Sequence, residues 1–178
     1  DRDPPETRKT AEVLRDIVAD DRRAGAIIKR LRAMIRRETP ARLPIDLSQV
    51  VQEVIEIMRG ELVTRDATVV CDFAVNLPAV IADRIQIQQV VVNLVTNALQ
   101  AMEGKAEPRL SVGVHQRNDE WQVVSVADTG SGIKVFMLDT MFEPFNTSRA
   151  GGLGMGLSIS RSIIEAHGGE ITAQNLDA

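Results

Sequence analysis

Two hydrophobic patterns divide the chain. From Glu6 to Arg37, apolar residues recur at Leu14, Ile17 or Val18, Ala24, Ile28, Leu31 and Ile35. That near-heptad spacing predicts one long amphipathic helix. Asp21 falls on its seam, either as a register device or snorkelling to water. Pro4 and Pro5 suit the helix start, and Pro40 and Pro44 end it, because proline lacks a donor and disfavours a helical predecessor. A lone helix of this kind cannot bury its own stripe. It is expected to dimerise or dock, or else to lie across the second region as a core helix.

From Ile45 to Ala178 the pattern is mixed α+β. Asp46 or Ser48 can cap a helix running to about Arg59. Strands are predicted at Thr68–Phe73, Arg109–His115 and Trp121–Ala127, with one more starting over Ile171–Ala173. Ile85–Met102 reads as a strong helix with the stripe Ile87, Val91, Leu94, Ala98 and Met102. Phe136–Met141 supports a short helical turn. Leu157–Ala166 predicts a helix stopped at His167-Gly168-Gly169, where glycine suits the left-handed residue.

Composition narrows the classes. An apolar share of 44% supports a sizeable core, and a net charge of −4 gives no reason to expect a nucleic-acid partner. The basic run from Lys29 to Arg37 reads as a solvated helix face. Cys71 is the sole cysteine, so no internal disulfide forms, which fits a reducing, cytoplasmic setting. Within its strand, Cys71 is expected as a small packed residue. No apolar run is long enough to span a bilayer, and the opening Asp1-Arg2-Asp3-Pro4-Pro5 suggests a fragment of a longer protein.

Four short segments, in order, carry the candidate chemistry, each supplying a different part of a contact with Mg²⁺ and ATP. Asn93 and Asn97 are four apart on the Ile85–Met102 helix, so they share a face, roughly 80–130° from the stripe centre. Amide oxygens are neutral hard ligands suited to a Mg²⁺ already balanced by phosphates. Asp128 ends a strand and opens the turn Thr129-Gly130-Ser131-Gly132-Ile133. Its carboxylate can accept from the exocyclic amine of adenine and would repel the acceptor that guanine presents there. Gly130 and Gly132 allow positive φ and close approach to a flat base. Phe142-Glu143-Pro144-Phe145 makes an apolar hinge before a lid over 146–151. Gly152-Leu153-Gly154-Met155-Gly156-Leu157 runs glycines into a helix start, where bare backbone N–H groups can receive phosphate. It is not a Walker loop, because no Lys-Ser/Thr follows. Arg149 either reaches the terminal phosphates as a fork donor or stands as a solvated loop residue. With Asn93 it is the candidate catalytic group. His115 and His167 are given no catalytic role: neither has a neighbouring carboxylate arrangement that would make it a nucleophile, and His167 suits a helix C-terminus.

The order of these segments resembles the ATP-binding domain of sensor histidine kinases, in the GHKL superfamily with its Bergerat fold. Asn93–Ala98 is similar to the family's N box, Asp128–Gly132 to its G1 box, Phe142–Phe145 to its F box and Gly152–Gly156 to its G2 box. The flanks Ala82–Val90 and Arg161–Gly169 look most like the oxygen-sensing kinases of nitrogen fixation. The resemblance implies a Bergerat-type α/β sandwich with ATP and Mg²⁺ as cofactors, Asn97 as principal metal ligand, Asn93 assisting, Asp128 reading adenine and the G2 glycines holding phosphates. It further implies that residues 1–39 are the second helix of a dimerisation hairpin, with Ala24–Arg32 carrying the likeness, and that 45–178 are the catalytic domain with its last strands cut short. The family's phosphoacceptor histidine, followed by an acidic residue on a first hairpin helix, has no counterpart here. The chain is therefore expected to donate the γ-phosphoryl of ATP to a histidine on a partner helix and not to phosphorylate itself. A homodimer and a response-regulator receiver domain are the implied partners.

Other functions are weighed against this. Hydrolysing GHKL ATPases resemble the fold but carry a glutamate base one turn before the metal asparagine. Here that position is Asn93, a poor base. The long N-terminal helix argues against a serine kinase acting on an anti-anti-sigma factor. A docking module with a vestigial nucleotide site is opposed by the intact Asn97 and the complete glycine loop.

Overall fold

A computed structural model describes residues 41–147 and 154–176. The long helix expected over 6–37 lies outside the described residues. Within them the order is β1 (Leu43–Ile45), α1 (Leu47–Ile57), α2 (Arg59–Thr64), β2 (Thr68–Phe73), β3 (Val80–Ala82), α3 (Arg84–Ala101), β4 (Arg109–Gln116), β5 (Gln122–Asp128), α4 (Val135–Leu138) and α5 (Gly156–Ala166).

The central sheet has the order β2-β4-β5. β2 runs parallel to β4, with Thr68 opposite Arg109 and Phe73 opposite Val114. β4 and β5 are antiparallel, with Leu110 opposite Asp128 and Gln116 opposite Gln122. Parallel neighbours need a crossover, and α3 supplies it between β2 and β4. β1 and β3 form a separate antiparallel pair, with Leu43 opposite Ala82.

Alternation along β4 sends Leu110, Val112 and Val114 to one face, where all three are fully buried. On them sit Val50, Val51 and Val54 of α1 and Val91, Val95 and Leu99 of α3. Each such side chain contributes about 1.5–3 kcal/mol by leaving water. α1 shows the helical period in its buried set Leu47, Val50, Val51 and Val54, and Asp46 caps it by accepting from Ser48 N at 2.8 Å and Gln49 N at 3.2 Å. Asp46, not Ser48, is therefore the cap. Asp83 does the same for α3, accepting from Gln86 N at 3.1 Å. α5 closes as a Schellman turn: Gly168 takes φ +76°, its N–H bonds Glu165 O at 2.9 Å, and Gly169 N–H bonds Ile164 O at 2.9 Å.

Several expectations are corrected. Residues 171–173 form no strand, because no neighbouring strand bonds them. Leu94 is only half-buried, whereas Val95 and Leu99 are fully buried. α3 packs against β4, β5, α1 and α5 together, so its covered arc is wider than a single stripe. Cys71 is exposed on β2, one of the two outer strands of the sheet, and not packed in the core. The remaining partial burial pushes its thiol pKa up.

Candidate functional site

α3 is the ruler along which the site is assembled. Asn93, Asn97 and Ala101 are successive i+4 positions, so they lie in a row on one face, spanning about 12 Å from first to last. Each end of the row meets a different loop.

At one end, Asn93 holds the first turn of α5. Its Nδ2 donates to Gly156 O at 3.2 Å and to Ser160 Oγ at 3.3 Å. Ser160, fully buried, donates in turn to Gly156 O at 3.0 Å. Met155 begins α5 and makes no side-chain cap bond to its first-turn N–H groups, and such groups point out of a helix start. Gly154 takes φ +63°, and a methyl there would stand 2.7 Å from Phe145 C and 2.8 Å from Asn146 N. Only glycine lets the segment before α5 lie this close to the Phe-Glu-Pro-Phe turn. In that turn Phe142 is half-buried, while Phe145 is exposed with φ +64°. Asn146 ties the turn back, its Nδ2 donating to Thr140 O and Oγ1, both at 2.8 Å.

At the other end, Ala101 supports the Asp128 turn. Asp128 Oδ1 accepts from Gly130 N at 2.8 Å, and Ser131 N donates to Ala101 O at 3.2 Å. Thr129 pins the turn to the start of β4: its Oγ1 accepts from Arg109 N at 3.0 Å and its N–H bonds Arg109 O at 3.2 Å. Gly132 takes φ +69°, and Ile133 is half-buried beyond it. Asn97 is half-buried on the row between the two loops.

Among the residues singled out in the sequence, Asn93, Asn97, Asp128, Gly130, Gly132, Ile133, Gly154, Met155, Gly156 and Leu157 all fall on this row or the segments flanking it. Arg149, Gly152 and Leu153 lie outside the described residues. The amide nitrogen of Asn93 is committed to α5, which does not conflict with the ligand role expected of its oxygen. His115 does have a carboxylate neighbour, Asp72 Oδ2 at 3.6 Å, but on the sheet face turned away from α3. His167 is a clamp. Its Nε2 accepts from Asp83 N at 3.0 Å, and its Nδ1 lies 2.8 Å from Ile163 O, so the geometry fits the Nδ1–H tautomer. Arg42 donates to Ala166 O at the same helix end. Ser160, Ala101 and Asn175 were not singled out in the sequence, and Thr129 was named only as part of the Asp128 turn. Ser160 and Ala101 carried a signal, each lying one helical turn from a flagged residue.

Comparison with known proteins gives the same picture. Residues 82–177 match the family described as histidine kinase-, DNA gyrase B-, and HSP90-like ATPase. The sensor protein FixL of Bradyrhizobium diazoefficiens is 39% identical over 173 residues, covering 96% of this chain and 34% of that protein. The sensor histidine kinase TmoS of Ectopseudomonas mendocina is 34% identical over 177 residues, covering 97% of this chain and 18% of that protein. The chain thus spans about a third of one relative and under a fifth of the other. Among solved structures, the catalytic domain of histidine kinase ThkA aligns with a TM-score of 0.68 at 30% identity, covering 76% of this chain and 88% of that one. ThkA in complex with the response regulator protein TrrA aligns with a TM-score of 0.76 at 25% identity, over 99% of this chain and 50% of that one. With its Bergerat-type α+β fold, the chain belongs to the histidine kinase-, DNA gyrase B- and HSP90-like ATPases, and within them to the catalytic domains of sensor histidine kinases.

Proposed function

We propose that this chain binds Mg²⁺-ATP along the Asn93–Asn97–Ala101 face of α3 and donates the γ-phosphoryl to a histidine on a helix that it does not itself supply. The observation that carries this reading is the single helix face joining an uncapped helix start to a carboxylate-bearing turn. Its span of about 12 Å suits a nucleotide laid with phosphates toward α5 and base toward Asp128.

The donor set fits the roles. Asn97, with the oxygen of Asn93, offers neutral hard ligands for Mg²⁺, and the phosphates complete its shell. The ion supplies charge neutralisation at the phosphate oxygens when bound. The N–H groups around Gly152, Leu153, Gly154, Met155, Gly156 and Leu157 receive the phosphates. Asp128 reads the adenine amine across the Gly130–Gly132 turn, with Ile133 beside the base. Arg149 reaches the terminal phosphate. Asn93 donates through Nδ2 and has no proton-accepting carboxylate, so it cannot activate water. That favours transfer over hydrolysis.

The finer organisation belongs to the same proposal. Residues 1–39 form the second helix of a dimerisation hairpin, 45–178 the catalytic domain, and the full-length protein is a homodimer. The fold-level likeness to ThkA bound to TrrA supports a receiver domain as downstream partner. Among the described residues no helix is long and apolar enough to cross a membrane, and ATP-dependent phosphorelay fits a cytoplasmic setting.

Two measurements test the reading. A fluorescent ATP analogue should bind in a Mg²⁺-dependent way, weakened by Asp128→Asn; unchanged affinity in that variant would remove the adenine assignment. A separate hairpin bearing a His-Glu pair should acquire acid-labile phosphate from labelled ATP. Binding without transfer would favour a docking role, and steady ATP turnover by the chain alone, lost in Asn93→Ala, would favour hydrolysis.

A further inference from the structure

The Asp128 turn is anchored at both ends, but by different means. Its first half rests on regular structure, through Thr129 on β4 and Ser131 on the last residue of α3. Its second half is held by a side chain from far along the chain. Asn175 Oδ1 accepts from Ile133 N at 2.8 Å, and Asn175 Nδ2 donates to Ile133 O at 2.7 Å. One planar amide thus takes both polar groups of one residue's backbone, which fixes orientation as well as position. The same Oδ1 lies 3.1 Å from where a Cβ on Gly132 would stand, so the amide also packs on the left-handed residue, at φ +69°. Residues 170–176 have no strand of their own, so this contact is a specific bond and not a by-product of sheet pairing.

We infer that Asn175 is a positioning residue for purine recognition. It does not touch the nucleotide; it sets the peptides of Gly132 and Ile133, and so the level at which Asp128 meets the base. This rests on the reading of Asp128 as the adenine acceptor. The chemistry needs a side chain that donates and accepts at once. Aspartate has the same shape but would turn a carboxylate oxygen toward Ile133 O, replacing a donor by a repelling acceptor. Alanine removes both bonds, and glutamine keeps both groups on a longer arm.

The test uses the 178-residue chain, with the fluorescent ATP analogue displaced by ATP and by GTP. Asn175 is exposed and outside the core, so Asn175→Ala and Asn175→Asp should melt close to the parent. Both should weaken ATP by about tenfold, the scale of one net hydrogen bond. They should also narrow the preference for ATP over GTP, with aspartate at least as damaging as alanine and glutamine partly restoring it. A merely structural role would leave the ATP-to-GTP ratio untouched. Asp128→Asn is measured beside them. If it narrows the ratio and the Asn175 variants do not, Asn175 has no positioning role and the purine reading stands. If Asp128→Asn itself leaves the ratio unchanged, the purine reading falls, and this inference with it.

Discussion

Gly130→Ala probes whether the Asp128 turn truly rests on α3. A methyl at this position would stand 2.5 Å from Asp128 Oδ1, 2.7 Å from the Ala101 carbonyl carbon and 2.7 Å from Ala101 Cβ. Carbon atoms pack best at about 3.5–4.0 Å, so the Ala101 contacts are short by roughly 1 Å. Neither neighbour yields freely. Asp128 can swing away only by releasing the 2.8 Å bond from Gly130 N, and Ala101 is backbone at the end of a packed helix. The cost of such overpacking is about 1–3 kcal/mol. The turn can relieve it by lifting off α3, which breaks the 3.2 Å bond from Ser131 N to Ala101 O and carries Asp128 with it. For a chain of this size each kcal/mol moves Tm by about 2–4 °C, so melting should fall by roughly 2–12 °C. Affinity for the ATP analogue should fall in parallel. Gly60→Ala is the matched control: nothing lies within 4 Å of the added methyl, and in helix α2 it should gain about 0.5–1 kcal/mol. Thermal melts by circular dichroism and a binding titration decide the matter. If Gly130→Ala melts as high as Gly60→Ala and keeps its affinity, the turn does not sit on Ala101 and the geometry argued for the site is wrong.

Two further outcomes are expected. His167→Ala removes the acceptor for Asp83 N–H and the group bonded to Ile163 O, leaving a part-buried donor unsatisfied. Stability to urea should drop by about 1–3 kcal/mol, and coincident denaturation midpoints would show that the clamp contributes nothing. Partial burial raises the Cys71 pKa, and the thiolate is the reacting form. Alkylation by iodoacetamide should therefore accelerate at a higher pH than for free cysteine; faster reaction than free cysteine at neutral pH would contradict the desolvation argument.

How much of this was legible in the sequence depends on how far each determinant reaches along the chain. β2 was found to the residue because Thr68, Val69 and Val70 are β-branched in succession, a local property. β1 and β3, three residues each, are too short to show any period. Ile171–Ala173 has strand composition but no bonded neighbour, and a strand exists only through its partner. The predicted stripe on α3 found the buried Ile87, Val91, Ala98 and Met102 but took in Leu94 and missed Val95 and Leu99, because a single-stripe template assumes one covering surface and α3 has several.

The site divides on the same line. Its parts were legible because each is a property of a few consecutive residues: two asparagines one turn apart, a carboxylate before glycines, glycines before a helix. Their assembly was not legible. It rests on Asn93 reaching Gly156 and Ser160, Ala101 lying beneath Gly130, and Asn175 grasping Ile133. These are meetings of residues far apart in the chain, with no periodic trace. They also explain why α3 matters beyond its amides. Asn93 and Asn97 are useful only if α5 and the Asp128 turn are held at fixed heights along the same helix. Asn93 Nδ2 and Ala101 set those two heights. The face that presents the candidate metal ligands therefore also sets the distance between the proposed phosphate end and the proposed base end, and a change in either loop anchor should act on nucleotide binding without touching a ligating atom.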